Sequence, residues 1–271
     1  MATDTMDEAL ADDEALLLDA VQAAGELALH HFKRGVQAAT KIDNTPVTEA
    51  DLAVDKLLHD RLRLARSGYG WLSEETADNA ERLDARRVWI IDPIDGTRAF
   101  IAGRPDWVIS AGLVEDGEPL LGVLLNPVNA QLFIARRGGG ASLDGAPLNI
   151  AGRDGIEGAR LIVTKGLLNR RIWASPWPET EIVWANSIAY RLALIAAGHA
   201  DAAFALSGKS EWDLAAAALL VQEAGGVVTD ATGAALRFNQ PVSRINGFVA
   251  ASPGLHTQLI ARTGPVAADG L

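Results

Sequence analysis

The sequence predicts an α+β half followed by an α/β half, and three patterns along its 271 residues support this fold class. Amphipathic helices come first, a run of short apolar strands follows, and strands then alternate with helices to the end of the chain. The pattern changes at 151–157, a stretch rich in glycine and charge. We therefore place the boundary there, between a first half of residues 1–153 and a second half of residues 154–271.

Two helices are expected near the beginning of the chain. Apolar residues recur at helical spacing over 13–32, which predicts an amphipathic helix. Thr48 and Asp51 stand at capping-box spacing ahead of another apolar stripe, so a second helix is expected to begin there. Residues 41–46, between the two helices, are expected to form a loop.

Short apolar runs predict a sheet in the first half. Residues 88–91 are β-branched or aromatic, which suits a strand buried on both faces, and Pro93 is expected to end it because proline cannot donate to a ladder. Turn sequences separate the later runs, which predicts an antiparallel meander. The expected strands are 69–72, 88–91, 107–114, 120–125 and 131–135. The charged segment 78–87 is expected to be a mobile loop.

Strands and helices alternate in the second half, which is typical of an α/β arrangement. The expected strands are 160–164, 200–206 and 227–229. The expected helices are 187–197, 212–224 and a short one after Pro253.

Composition excludes several classes of function. No apolar run is long enough to span a bilayer and residues 1–13 are unlike a signal peptide, so we expect a cytoplasmic protein without a membrane partner. Cysteine is absent, which excludes disulfides and thiolate nucleophiles. A formal net charge of −11 argues against long nucleic acid as a partner. A small phosphorylated substrate remains compatible, because a bound divalent cation reverses the local sign.

The main candidate site follows the strand at 88–91. Asp92, Asp95 and the Ile94 carbonyl can converge on one point, and hard divalent cations prefer such clusters of oxygen. Gly96 lets the backbone turn, and N–H groups at the start of a short helix from Thr97 can bind an anion. Ordinary turn chemistry explains the same residues, so the pattern alone leaves both interpretations open.

Three further carboxylates each have two interpretations. Asp51 and Asp213 are either acids that stabilise the first turn of a helix or side chains directed into the site. Glu74 follows Ser73, and a serine beside a pair of glutamates is commonly a capping arrangement. Position alone favours the structural interpretation of each.

The run WIIDPIDGTRAF, residues 89–100, closely resembles the metal-binding signature of the inositol monophosphatase superfamily, the lithium-sensitive, Mg²⁺-dependent phosphomonoesterases. Three further motifs follow the family's order: PVTEAD from residue 46, SEE from residue 73, and EWDLAA from residue 211 with EAGG after it. The resemblance spans most of the chain. It implies the family's layered αβαβα sandwich, and a homodimer, common in such families, is compatible with it.

The resemblance implies a role for each acid. Two or three Mg²⁺ ions would be held at the site, with Asp92 bridging two of them. Their ligands would be Glu74, Asp92, the Ile94 carbonyl, Asp95 and Asp213. Asp51, Thr97 and Glu74 would be the catalytic residues, with Asp51 and Thr97 orienting a metal-activated water. The N–H groups of Gly96 and Thr97 would bind the phosphate.

Residues beside the motifs bear on the substrate. Arg98 is basic where 3'(2'),5'-bisphosphate nucleotidases and histidinol-phosphatases typically carry a basic residue, whereas inositol monophosphatases typically carry Thr-Asn. The run 209–213 looks more like the nucleotidases, so Arg98, Lys209 and Glu211 are candidate substrate contacts. Arg191 is a weaker one, because a helical arginine is usually solvated. We rank bisphosphate nucleotidase first, inositol monophosphatase second and histidinol-phosphatase third. A non-catalytic phosphate-binding protein of this fold would be favoured only if a ligand carboxylate were missing.

Overall fold

The computed structural model describes residues 2–36, 38–40, 46–164 and 166–268, so most of the expected loop at 41–46 lies outside the described residues. The α-helices in these ranges are α1 Ala2–Arg34, α2 Glu49–Ala65, α3 Thr97–Ile101, α4 Ile188–Ala196, α5 Ala215–Glu223 and α6 Pro253–Ala268. Short 3₁₀ helices lie at Ala80–Asp84, Leu167–Asn169 and Glu211–Asp213. The predicted start of α2 is confirmed, because Thr48 and Asp51 form a complete capping box.

The larger sheet occupies the first half of the chain. A short antiparallel pair, β1 Ala38–Thr40 and β2 Pro46–Thr48, precedes it. The sheet contains β3 Gly70–Ser73, β4 Arg87–Asp95, β5 Val108–Glu115, β6 Glu118–Asn126, β7 Gln131–Arg136, β8 Gly140–Leu143 and β9 Ala146–Pro147, in sequential order. Only β3 and β4 of these strands are parallel, so the predicted meander is confirmed from β4 onward.

The smaller sheet occupies the second half. The strands are β10 Arg160–Ile162, β11 Glu181–Val183, β12 Ala202–Ala205, β13 Lys209–Ser210, β14 Val227–Thr229, β15 Arg244–Ile245 and β16 Phe248–Ala251. Five of them form a sheet in the order β11-β10-β12-β16-β14, while β13 and β15 pair separately. The sequence did not predict β16, which lies between β12 and β14.

Three buried clusters show how the layers stack. Trp89 and Ile91 of β4 pack with α1 and α2, whereas Val88 and Ile90 face α4 and α5, because successive residues of a strand point to opposite faces. The smaller sheet packs against α4 and α5 on one side and against α6 on the other. The expected αβαβα sandwich is therefore confirmed.

Small residues let α5 approach the larger sheet closely. A Cβ atom at Gly122 would lie 2.6 Å from the Ala216 oxygen, and one at Gly112 would lie 3.2 Å from the Ala216 nitrogen. The contact therefore requires glycine on the strands and favours alanine on the helix. It brings the 3₁₀ helix Glu211–Asp213 against β4 and β5.

Several predicted element boundaries were wrong. Helix α1 begins at Ala2, well before residue 13, and α6 is not short, since it has 16 residues. Strand β4 continues through Pro93. The charged segment 78–87 contains a 3₁₀ helix, and Arg82 within it is 3% exposed. Its guanidinium donates to Asp78 at 2.6 Å and to Asn239 at 2.7 Å, which ties this segment to the second half of the chain.

Candidate metal centre

A β-bulge in β4 brings two carboxylates to the same side of the sheet. Asp92 pairs with Ser110 and Asp95 pairs with Val108, so three steps along β4 oppose two along β5. Side chains three residues apart in a regular strand point to opposite faces, and the extra residue cancels that alternation. The bulge also accommodates Pro93, because the ladder is already interrupted there.

A third carboxylate comes from the second half of the chain. Asp213 ends the 3₁₀ helix before α5, where its Oδ2 accepts a hydrogen bond from the Ser210 nitrogen at 2.9 Å. One oxygen each from Asp92, Asp95 and Asp213 lies within 4.8 Å of the other two. Asp213 thus caps its own turn and also joins the cluster, so its two interpretations are compatible.

The N-terminus of α4 holds Asp95 in place. Ser187 Oγ and the Ala189 nitrogen donate to Asp95 Oδ2 at 2.6 and 2.5 Å, and the Ile188 nitrogen lies 3.2 Å from Oδ1. Hydrogen-bond partners of this kind fix the orientation of a carboxylate that binds a metal. The sequence analysis missed this contact. Ser187 is a helix N-cap residue, which was the available signal, but nothing local indicated that Asp95 would accept from it.

Burial and mutual repulsion raise the free energy of the ionised carboxylates when no cation is bound. The pKa of Asp92 is raised well above its usual value by burial and then by the charges of Glu74, Asp95 and Asp213. Burial also raises the pKa of Asp95 to about 6. Desolvation and the charge of Asp95 raise the pKa of Asp213 to about 7. Acidic oxygens that repel one another in a buried space are a donor set that fits a hard divalent cation.

These pKa values predict how cation binding depends on pH. The pKa is about 6 for Asp95 and about 7 for Asp213 in the folded protein, above the usual value of an aspartate. Between about pH 4 and pH 7 the folded metal-free protein therefore binds more protons than the unfolded chain. Its free energy of unfolding falls as pH rises through that window. A cation that binds these carboxylates must displace their protons. We expect added Mg²⁺ to raise the thermal midpoint more at about pH 8 than at about pH 5.5, as measured by calorimetry. Equal increases at both pH values would contradict this prediction.

Glu74 and the Ile94 carbonyl lie beside the cluster rather than within the group of three acids. Glu74 directly follows β3 and is half-buried, and its charge helps to raise the pKa of Asp92. Asp55 of α2 positions its loop by accepting from Ser73 Oγ at 2.5 Å. The Ile94 oxygen accepts from Thr97 Oγ1 at 3.2 Å. Their expected role as ligands therefore stays a prediction.

Asp51 links the capping box of α2 to the signature. Its Oδ2 accepts from Thr48 Oγ1 at 2.6 Å, and its Oδ1 lies 3.3 Å from Thr97 Oγ1. Burial raises the pKa of Asp51, with a further contribution from the charge of Glu74. The side chain is thus both an early-turn acid and a neighbour of the cluster.

Gly96 forms the turn between β4 and α3. Its φ of 102° lies in the left-handed region, and it is the N-cap of α3. A Cβ atom there would lie 3.1 Å from both the Asp106 oxygen and Trp107 Cβ. Only glycine suits this conformation and this space.

The candidate substrate residues have different environments. Arg98 is exposed on α3. Lys209 is half-buried; burial lowers its pKa, and the charge of Asp213 opposes that shift. Glu211 is the most enclosed of the three, and its contact with substrate stays a prediction. Its side chain is fully buried, and its two oxygens accept from the backbone nitrogens of Asn239 at 2.5 Å and Gln240 at 2.9 Å.

Arg191 is not the solvated surface residue that its place in a helix suggested. Burial lowers its pKa, and the charges of Asp95 and Asp106 oppose that shift. Its guanidinium donates to the Ala185 oxygen at 2.9 Å and to the Asn186 oxygen at 3.3 Å. Its charge is therefore attracted by Asp95 of the cluster and by Asp106.

A layered αβαβα sandwich with an acidic cluster at a strand bulge defines a class of protein, the metal-dependent phosphatases that the signature resembles. The chain belongs to the inositol monophosphatase family, whose sequence model matches residues 10–265.

Individual relatives agree with this assignment. An inositol-1-monophosphatase of Mesorhizobium japonicum is 34% identical over 80% of this chain and 85% of that protein. The 3'(2'),5'-bisphosphate nucleotidase CysQ of Aggregatibacter actinomycetemcomitans is 32% identical over 85% of this chain and 88% of that protein. The crystal structure of the extragenic suppressor protein suhB from Bartonella henselae has a TM-score of 0.78 and 28% identity, covering 96% of this chain and 100% of that chain.

These comparisons confirm the predicted class of enzyme, a phosphoric monoester hydrolase. Further relatives are named Nus factor SuhB and histidinol-phosphatase. Because relatives of nearly equal identity have different names, identity alone does not single out one substrate. In the part of the chain that the structure describes, no helix has the length and apolar character to cross a membrane.

Proposed function

We propose that the chain is a Mg²⁺-dependent bisphosphate nucleotidase, which would convert adenosine 3',5'-bisphosphate to adenosine 5'-phosphate. The observation that carries this choice is a pair of basic side chains beside the acids of the cluster. Lys209 precedes Ser210, whose nitrogen donates to Asp213. Arg191 donates to the segment just before Ser187, whose Oγ donates to Asp95. A substrate with a second phosphate would use both the acidic cluster and this pair.

The oxygens of the centre would hold two or three Mg²⁺ ions. The proposed ligands are Glu74, Asp92, the Ile94 carbonyl, Asp95 and Asp213. When bound, the cations make water more acidic and neutralise the charge that develops on the leaving oxygen. Occupancy of this kind would also offset the repulsion among Asp92, Asp95 and Asp213.

Asp51 and Thr97 would orient the attacking water. The Thr97 hydroxyl has one proton and two neighbouring acceptors, Asp51 Oδ1 at 3.3 Å and the Ile94 oxygen at 3.2 Å. Burial raises the pKa of Asp51, which makes it a better proton acceptor at neutral pH than an ordinary aspartate. We assign the water's proton to Asp51 Oδ1, and we assign phosphate binding to the N–H groups of Gly96 and Thr97.

Lys209 and Arg191 would bind the second phosphate. Burial lowers the pKa of Lys209, the charges of Asp213 and Asp95 oppose that shift, and the charges of Arg191 and Arg244 add to it. Two basic side chains can both donate hydrogen bonds to one anionic group, which also reduces the repulsion between them. A hydrogen bond to a charged group contributes about 1.5 to 3 kcal/mol, which corresponds to roughly ten- to a hundredfold in affinity.

We predict that the specificity constant for adenosine 3',5'-bisphosphate exceeds that for inositol 1-phosphate by about ten- to a hundredfold. Lys209→Ala should reduce this ratio by about tenfold or more, with Arg191 retaining the remainder. Lys56→Ala is the matched control, because Lys56 is an exposed lysine of α2 that pairs with Asp60. It should keep the wild-type ratio, as measured by phosphate release with Mg²⁺ present.

The same assay tests the other candidates. Inositol-1-monophosphatase is the second, favoured by the relative from Mesorhizobium japonicum at 34% identity. Histidinol-phosphatase is the third, favoured by the basic Arg98 after the signature threonine. A wild-type preference for inositol 1-phosphate or histidinol phosphate would overturn the nucleotidase assignment while leaving the metal-dependent chemistry in place.

A further inference from the structure

We propose that Trp184 is a stacking platform for the planar base of a nucleotide, beside the metal centre. This inference rests on the proposed function, because it names the part of the protein that would recognise the nucleoside rather than the phosphates. It is carried by the exposure of Trp184, its arginine partner, its link to Asp95 and the cavity next to it.

The Trp184 ring is exposed, yet it is held in position. It is 54% exposed, and the Arg104 guanidinium carbon lies 4.4 Å from the ring centroid. Arg104 Nε in turn lies 3.7 Å from Asp106 Oδ1. A guanidinium over one face of an indole restrains the ring by a cation–π contact. The exposed surface of the ring remains available to a second flat group.

The residue that carries this ring is a short stretch of chain away from a partner of the acid cluster. Trp184 stands three residues before Ser187, whose Oγ donates to Asp95 Oδ2 at 2.6 Å. Three residues of extended chain span at most about 10 Å. A nucleoside separates its base from its 3'-phosphate by one sugar, which is a distance of the same order. A phosphate at the cluster therefore leaves the base within reach of Trp184.

The segment between Trp184 and Ser187 is fixed on two sides. The Asn186 nitrogen donates to Asp106 Oδ2 at 2.7 Å, and Arg191 Nε donates to the Ala185 oxygen at 2.9 Å. A platform attached to such a segment keeps a constant distance from the centre. Arg191 would thereby bind the second phosphate directly, and it would position the base by holding the backbone next to Trp184.

A cavity beside Trp184 can accommodate the base. Its volume is about 560 Å³, and its apolar walls include Trp177, Ile182 and Leu168. Sites for small molecules commonly have about 300 to 1,000 Å³ and combine apolar walls with a few polar groups. Thr164 and Asn169 supply polar groups in this lining, which suits the hydrogen-bonding edge of a base.

The test compares two ligands that differ only in the base. Adenosine 5'-phosphate and ribose 5-phosphate are titrated calorimetrically into the Mg²⁺-loaded protein. Stacking of one base on an aromatic ring is expected to give the wild type roughly a five- to a hundredfold preference for adenosine 5'-phosphate. Trp184→Ala should reduce this ratio to near one, whereas Trp184→Phe should retain most of it. Leu64→Ala removes a 78% exposed side chain of α2 and should keep the wild-type ratio.

The outcomes separate this inference from the proposed function. Equal affinity ratios in the wild type and Trp184→Ala would overturn the platform, whichever substrate the enzyme prefers. If Trp184→Ala loses the preference for adenosine 5'-phosphate while the wild-type enzyme hydrolyses inositol 1-phosphate best, the nucleotidase assignment is overturned and the stacking platform is supported. An unchanged ratio with a changed sedimentation coefficient in Trp184→Ala would overturn the platform and assign the exposed indole to a protein contact.

Discussion

Replacing Asp95 by asparagine is expected to lower kcat/KM by about a thousandfold or more, because a bound metal contributes several kcal/mol of transition-state stabilisation and each 1.4 kcal/mol or so is tenfold in rate. The substitution keeps the size of the side chain. Its amide oxygen can still accept from Ser187 Oγ and the Ala189 nitrogen, which bond to Asp95 Oδ2 at 2.6 and 2.5 Å. The amide nitrogen then replaces Oδ1, and a donor cannot bind a cation.

Stability measurements show whether this loss is a metal effect. Without a cation, Asp95→Asn should stay close to the wild type in stability. It removes one charge from a buried group that includes Asp92 and Asp213, but it also loses the hydrogen bond that Oδ1 accepts from the Ile188 nitrogen at 3.2 Å. Its thermal midpoint should rise less on addition of Mg²⁺. Asp60→Asn, at an exposed position of α2, should match the wild type in both respects. Full wild-type turnover in excess chelator would contradict the whole scheme.

Local sequence predicted the features that depend on neighbours in the chain. The capping box of Thr48 and Asp51 is a contact between residues three apart, and it forms as expected. The signature at 89–100 likewise places Asp92, Asp95 and Gly96 within five consecutive residues. Backbone geometry alone forms the capping contact, whereas Asp92 and Asp95 also need the bulge in β4 to share one side of the sheet.

Features that depend on distant pairing were not predictable in the same way. Ser187 contacts Asp95 from 92 positions away, and only the packing of α4 against β4 creates that contact. The bulge in β4 depends on its register with β5, so proline alone suggested a strand end instead. Glu211 also makes a contact that its motif did not indicate, because its carboxylate accepts from the backbone of a loop 28 positions away.

The usual solvent exposure of helical arginines also led to a wrong expectation for Arg191. A helical arginine is usually solvated, yet this one lies over the backbone of Ala185 and Asn186 at the N-terminus of its own helix. The carbonyls there belong to the residues just before α4 and are turned towards the guanidinium by the chain's entry into the helix. Hydrophobic periodicity carries no information about such a contact.

Replacing Asp13 by alanine is expected to lower the free energy of unfolding by about 3 to 5 kcal/mol, the usual cost of removing one partner from a buried ionic group. The Asp13 side chain is fully buried, and its Oδ1 accepts from Arg66 Nε at 2.6 Å. Its Oδ2 accepts from Tyr69 Oη at 2.8 Å and from Arg87 Nη1 at 2.9 Å. The carboxylate thus joins α1 to α2 and to β4, and its removal leaves these donors without their shared acceptor.

Asp19→Ala is the matched control for this experiment. Asp19 also lies on α1 and pairs with an arginine of α2, Arg61, but its side chain is 71% exposed. Exposed ion pairs contribute about 0 to 1 kcal/mol, so this variant should stay close to the wild type. Urea unfolding monitored by circular dichroism measures both variants. A loss of less than about 1 kcal/mol in Asp13→Ala, similar to that of Asp19→Ala, would show that the buried network does not hold α1 on the sheet.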